Sequence, residues 1–93
     1  MHSGHQWVTA VGAGAFSPVI DIRGMPFISL NGTTSGVTIL TIQVTEDGTN
    51  YVDTDKATAS GTTHHLYATL GAKAIRVKSS AAVTPTIVFG ANG

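Results

Sequence analysis

Four histidines, a few carboxylates and many hydroxyl side chains are the residues of this chain whose types could do chemistry. His64 and His65 are adjacent, so on a strand their rings project to opposite faces and cannot share a metal ion. His2 and His5 lie near the amino end. With no cysteine, a metal site would have to combine histidines with scattered carboxylates. Asp53 and Asp55, two apart on an extended segment, share a face and could hold calcium weakly; the Asp-x-Asp-x-Asp-Gly frame of a dedicated calcium loop is absent. No Gly-x-Ser-x-Gly elbow positions a nucleophile, and no Gly-x-x-x-x-Gly-Lys loop cradles a phosphate. Gly12-Ala13-Gly14 is not followed by a helical pattern, which removes a dinucleotide reading. These residues predict no catalytic, cofactor-binding or metal-binding set, and the expectation is a protein that is not an enzyme.

The chain that must position them has 93 residues, one domain's worth, with 42% hydrophobic residues. A domain of that size buries roughly 60–65% of the surface of its unfolded chain. Five basic and five acidic side chains cancel, which removes the electrostatic footprint of a protein that grips nucleic acid or an anionic membrane. Arg76, Lys78 and Lys73 lie close in sequence but lack the interleaved aromatics of a single-strand binder. No run approaches the 18 apolar residues of a membrane span, and residues 1–15 lack the basic start of a signal peptide. The expectation is therefore synthesis in the cytoplasm. Charged residues are only 11%, against about 25% in an average domain. A surface of Thr, Ser, Gly and Ala suits a protein docked against copies of itself or a partner.

Strand patterns dominate, and no helical periodicity lasts three turns. Leu40, Ile42 and Val44 alternate with Thr41, Gln43 and Thr45 inside a predicted strand over Gly36–Glu46. Val37 and Ile39 fall on the other parity, which predicts a bulge or a start covered on both sides. Glu46-Asp47-Gly48-Thr49-Asn50 is a turn, with Gly48 taking positive φ and Asp47 bonding back to the chain. Tyr51 and Val52 begin the return strand, and Asp53–Gly61 reads as a polar connection. Thr62–Leu70 alternates again, with Leu66, Ala68 and Leu70 opposite His65, Tyr67 and Thr69. In Ala74–Ser79, Ile75 and Val77 point inward and Arg76 and Lys78 outward. Val83–Phe89 closes the domain, its Pro85 expected at an edge or a strand start. Upstream, Gln6–Val11, Phe16–Ile22 and Met25–Leu30 are predicted strands, and Asn31–Gly36 a loop. Seven or eight short strands predict an all-β fold, a small antiparallel β-sandwich of jelly-roll or immunoglobulin-like type.

The stretch Ile42-Gln43-Val44-Thr45-Glu46-Asp47-Gly48-Thr49-Asn50-Tyr51-Val52-Asp53 resembles the x-V-Q-x-S-x-D-G-x-N-W-x-D hairpin of small phage-virion β-sandwiches, with Thr45 for the usual Ser and Tyr51 for the usual Trp. Gly71–Ser79 resembles their G-x-x-y-I-R-V-K strand, and the likeness extends over residues 36–90. Discoidin-like sandwiches carry a similar hairpin and often bind glycans, but this chain is shorter and lacks their paired cysteines. Among small free-standing chains the resemblance is to bacteriophage capsid decoration (cement) proteins. It implies a homotrimeric sandwich on the outer capsid surface of the virion, bound between subunits of the major capsid protein. Residues 1–15 would then be an N-terminal arm on the single domain 1–93, with His5, Trp7, Phe16 and Tyr67 as partner contacts. Trp7 reads equally as a core residue, and the arm equally as a first strand. A tail-fibre or baseplate module that binds carbohydrate, with Tyr51 or Tyr67 as platform, is the alternative.

Overall fold

The computed structural model describes residues 2–22 and 25–92, the side chains of residues 2–5 and 92 excepted. Eight strands follow one another: β1 (His2–Trp7), β2 (Ile20–Asp21), β3 (Phe27–Thr38), β4 (Leu40–Thr45), β5 (Val52–Ala57), β6 (Gly61–Thr69), β7 (Ala74–Ser79) and β8 (Pro85–Asn92). They form two antiparallel sheets of four, ordered β1-β8-β3-β6 and β2-β7-β4-β5. Of the two sandwiches expected, this order is the jelly roll. The chain is one long hairpin wound on itself, with β4 on β5, β3 on β6, β2 on β7 and β1 on β8.

Alternation explains which residues lie between the sheets. Ile28 and Leu30 of β3, Ile87 and Phe89 of β8, Leu40 and Ile42 of β4, and Ile75 and Val77 of β7 are all buried. Trp7 joins them at 2% exposure, its ring stacked on Phe89 with centroids 6.2 Å apart. Polar groups left inside are answered: Thr38 Oγ1 lies 2.8 Å from Ser79 Oγ, and Ser17 Oγ accepts from Val77 N–H at 2.8 Å. Among the described residues no buried side-chain nitrogen or oxygen lacks a hydrogen-bond partner.

Several expectations need correction. Residues 2–7 are a strand in the sheet rather than an arm, because the only tryptophan fills the space over Phe89. The stretch after it is also tied down, by Val11 paired with Val83 and by Gly14 N–H bonded to Ser79 O. Asn31–Gly36 is not a loop but the middle of the twelve-residue β3. The expected strand over Gly36–Glu46 divides at Ile39, where the chain leaves one sheet for the other; Val37 and Ile39 are exposed rather than covered, and the β3–β6 register shifts between Thr33 and Thr38, in keeping with the bulge expected as the alternative. The polar connection after Tyr51 contains β5, an edge strand without clean alternation because little of it is buried. Phe16–Ile22 is a strand only at Ile20–Asp21, since Pro18 cannot donate to a ladder. Pro85 begins β8, as expected.

Gly32 shows why β3 continues through a sequence that reads as a loop. A Cβ there would lie 2.0 Å from Thr86 O and 2.8 Å from Ile87 Cα, both backbone atoms of β8. Only glycine lets the two central strands approach. Gly32→Ala should therefore cost about 1–3 kcal/mol or more, lowering the melting temperature by about 4–8 °C for each. Gly12→Ala, where nothing lies within 4 Å, is the control and should melt within a few degrees of the parent. Equal melting of the two variants by calorimetry would contradict the close approach.

Candidate functional site

The sandwich sorts charge as well as hydrophobicity. The strands of the β1-β8-β3-β6 sheet, HSGHQW, FISLNGTTSGVT, GTTHHLYAT and PTIVFGAN, contain no Asp, Glu, Lys or Arg. All nine charged side chains among the described residues belong to the other sheet or to connecting segments. One sheet is neutral and the other is charged.

Pairing registers lay out the neutral sheet's outer face in rows. Gln6, Val88, Asn31 and His65 form one row, and Gly90, Ser29 and Tyr67 the next. Phe27 and Thr69 follow, while Thr86, Thr33 and Thr63 lie on the other side. Tyr67 is 72% exposed, and Phe27 and Val88 are about half exposed. The His65 ring meets the Tyr67 ring edge-on at 5.3 Å, while its Nδ1–H donates to Asn31 Oδ1. The result is a face bearing an aromatic pair, threonine hydroxyls and exposed apolar side chains.

The outer face of the charged sheet is organised around Arg76. Its guanidinium carbon sits 3.7 Å from the Phe16 ring centroid and 3.8 Å from that of Tyr51, so both faces of the cation are covered. Arg76 Nε donates to Gln43 Oε1 at 2.8 Å, and Gln43 Nε2 donates to Asp53 Oδ1 at 2.6 Å. Lys78 Nζ completes the chain at 2.8 Å from Asp53 Oδ2. Hydrogen bonds from Lys78 and then Gln43 hold the Asp53 carboxyl below its usual range. Asp53 and Asp55 do not act as a pair, since Asp53 is engaged here and Asp55 pairs with Lys56 at 3.7 Å. Sequence spacing placed Arg76 and Lys78 on one face but did not reveal the ring on either side of Arg76. The signal for that stack is three residues from distant segments, which no local pattern joins.

His64, on the inner side of β6, is 2% exposed. Thr34 Oγ1 gives its proton to Gly36 O at 2.8 Å, so His64 Nε2–H must donate to Thr34 Oγ1 at 3.0 Å. Thr58 Oγ1 accepts from Leu40 N–H at 3.1 Å and gives its proton to His64 Nδ1 at 2.9 Å. One neutral tautomer thus satisfies five groups and ties β3 to the β4–β5 side of the sandwich. Burial lowers the pKa of this imidazole from 6.5, against a weaker opposing bond to the Gly61 backbone. This geometry makes His64 a structural clip.

The four expected contact residues are not brought together. Tyr67 lies on the neutral face and Phe16 beside Arg76 on the opposite one, while Trp7 is buried between them. His5 occupies β1 opposite Phe89, and its side chain lies outside the described residues. Among the described residues no three His, Asp or Glu side chains gather as metal ligands would. Compared with protein-family models, curated proteins and solved structures, the chain matches none.

The His64 clip sets a pH dependence. A folded pKa below the unfolded value means that the unfolded chain takes up the proton first. Its stabilisation is complete above pH 6.5 and is lost as pH falls below that value toward the lowered pKa. Denaturant midpoints should therefore fall between pH 6.5 and the carboxylate range, and the slope should shrink in His64→Asn. An unchanged slope in that variant would assign the pH dependence elsewhere.

Proposed function

We propose that this protein is a structural component of a phage virion, a capsid decoration (cement) protein that binds between coat subunits and stabilises the head. The observation that carries this reading is the neutral sheet. A protein with ten charges could spread them over its whole surface to stay apart from its neighbours. Here the four strands of one sheet carry none, and their outer face exposes Phe27, Tyr67 and Val88 instead. Exposed apolar groups on an uncharged face are the mark of a docking surface. Association by such a face desolvates hydroxyls and rings and strands no ion. The jelly roll adds an analogy of fold alone, since capsid domains use it widely. Repetition over a shell turns modest contacts into firm attachment.

A second reading follows from the same face. Tyr67, with Ser29 and Gly90 in its row and the His65–Asn31 pair beside it, forms a platform on which a sugar ring could stack. That is the arrangement of a tail-fibre or baseplate carbohydrate module, and lectins share the jelly roll.

Co-sedimentation with phage heads assembled without this chain tests the first reading. The protein should bind to saturation, and Thr33→Glu on the neutral face should weaken binding at least tenfold, about 1.4 kcal/mol, without unfolding. Lys78→Ala on the opposite face should change binding little. Failure of the parent protein to bind would end the decoration reading. A glycan array whose signals vanish in Tyr67→Ala would put the carbohydrate reading in its place.

A further inference from the structure

The two sheets leave four edge strands, and they differ in how they are guarded. β2 is two residues long. β5 carries Asp53, Asp55 and Lys56, with a register shift against β4. Short length, charge and irregular pairing are the usual means of keeping a sheet edge from joining another. β1 is uncharged but has only six residues. β6 has nine, with no charge and no proline.

The backbone of β6 has a definite polarity across the strand. Leu70 N–H bonds to Pro26 O, continuing the register that pairs Ala68 with Ile28 and Leu66 with Leu30. Even-numbered residues therefore turn their N–H and C=O groups toward β3. Thr63, His65, Tyr67 and Thr69 turn theirs toward the open edge, and all four are exposed. Among the described residues, no backbone bond outside the sheet ladders, and no side-chain bond to the backbone, involves these four. Lys56, from the neighbouring β5, lines a groove with Phe27, Tyr67 and Thr69 and so lies toward one end of the edge.

We propose that β6 pairs antiparallel with β6 of a second copy of this chain, about a two-fold axis through Leu66. In that register Thr63 faces the partner's Thr69, and His65 faces the partner's Tyr67. Every outward-turned residue then exchanges bonds with another, for eight backbone hydrogen bonds in all. Any register must match odd residues with odd. Shifting the axis to residue 65 or 67 leaves one of the four opposite a position beyond this set. The His65–Tyr67 contact within one chain is repeated across the seam, where cross-strand aromatic pairs stabilise sheets. An isologous contact closes after two copies, so it blunts the edge without starting a fibre. The joined sheet has eight strands and still no charged side chain, which doubles the neutral face. This pairing does not depend on what that face binds.

Light scattering coupled to size exclusion should give a mass of two chains at high micromolar concentration. Tyr67→Pro removes an edge-facing N–H that the β3 ladder does not use, and should give folded monomer by circular dichroism. Tyr67→Ala keeps that N–H and loses only the ring, so it should weaken the dimer less than Tyr67→Pro does. The parent protein provides a variant-free check by amide hydrogen exchange. The amides of Thr63, His65, Tyr67 and Thr69 should exchange at least tenfold more slowly at concentrations that favour the dimer. A monomer at all concentrations, a trimer, or rapid exchange of these amides throughout would overturn the proposal. So would a dimer that survives Tyr67→Pro.

Discussion

The whole structure depends on a hairpin whose tip is Gly48. Val44 pairs with Val52, Phe27 with Thr69, Ile20 with Ile75 and His2 with Asn92. The members of each pair lie at nearly equal sequence distances on either side of Gly48. The pairings are nested about this turn, with register shifts in the β4–β5 and β3–β6 ladders. The tip is accordingly well secured. Gly48 has φ 81°, and Asp47 accepts from the N–H groups of Thr49 and Asn50 and from the Asn50 side chain. Those bonds hold the Asp47 carboxyl far below its usual range, so the turn keeps its charge and its acceptors. Thr45 Oγ1 accepts from Gly48 N–H on the inner side of the turn. A slip of one residue at this point would reverse the facing of side chains in the paired strands.

Winding the hairpin into two layers separates residues that the linear order mixes. β3 and β4 are adjacent in sequence, yet one enters the neutral sheet and the other the charged one. The crossing at Ile39 is held by Ser80, whose Oγ accepts from Ile39 N–H and lies 3.1 Å from Thr38 Oγ1. Close by, where Thr58 bonds to the backbone of Leu40, His64 joins Thr34 and Thr58 across the layers. Hydroxyls thus replace the ion pairs that more highly charged domains use at such junctions. This lets one sheet be free of charge and still be anchored to the other.

The two outer faces have different physical characters. Around Arg76, aromatic rings and a hydrogen-bonded amide consume the cation's faces and its Nε, and Lys78 is matched with Asp53. The electrostatics of that face are largely satisfied within the chain. The neutral face leaves rings, methyl groups and hydroxyls open, together with the unpaired backbone of an edge. An assembly role uses the second kind of surface.

Local chemistry was readable without a fold. The Asp47-Gly48 turn, the opposite facing of His64 and His65, the inward Ile75 and Val77, and the place of Pro85 all follow from neighbours one or two residues apart. Where the reading failed, distant contacts decided. Asn31–Gly36 looks like a loop because glycine and polar residues weaken a strand, but Thr86 and Ile87 require the glycine at position 32. The N-terminal segment looked as much like an arm as a strand until Phe89 received Trp7. By itself the sequence determined an all-β chain, low in charge, with one strong turn, because composition and period-two alternation are local properties. Which strands share a sheet, and hence that four of the five strands without charge lie together, was decided only in three dimensions. That choice depends on pairings between residues up to ninety apart, such as His2 and Asn92, which no local pattern specifies.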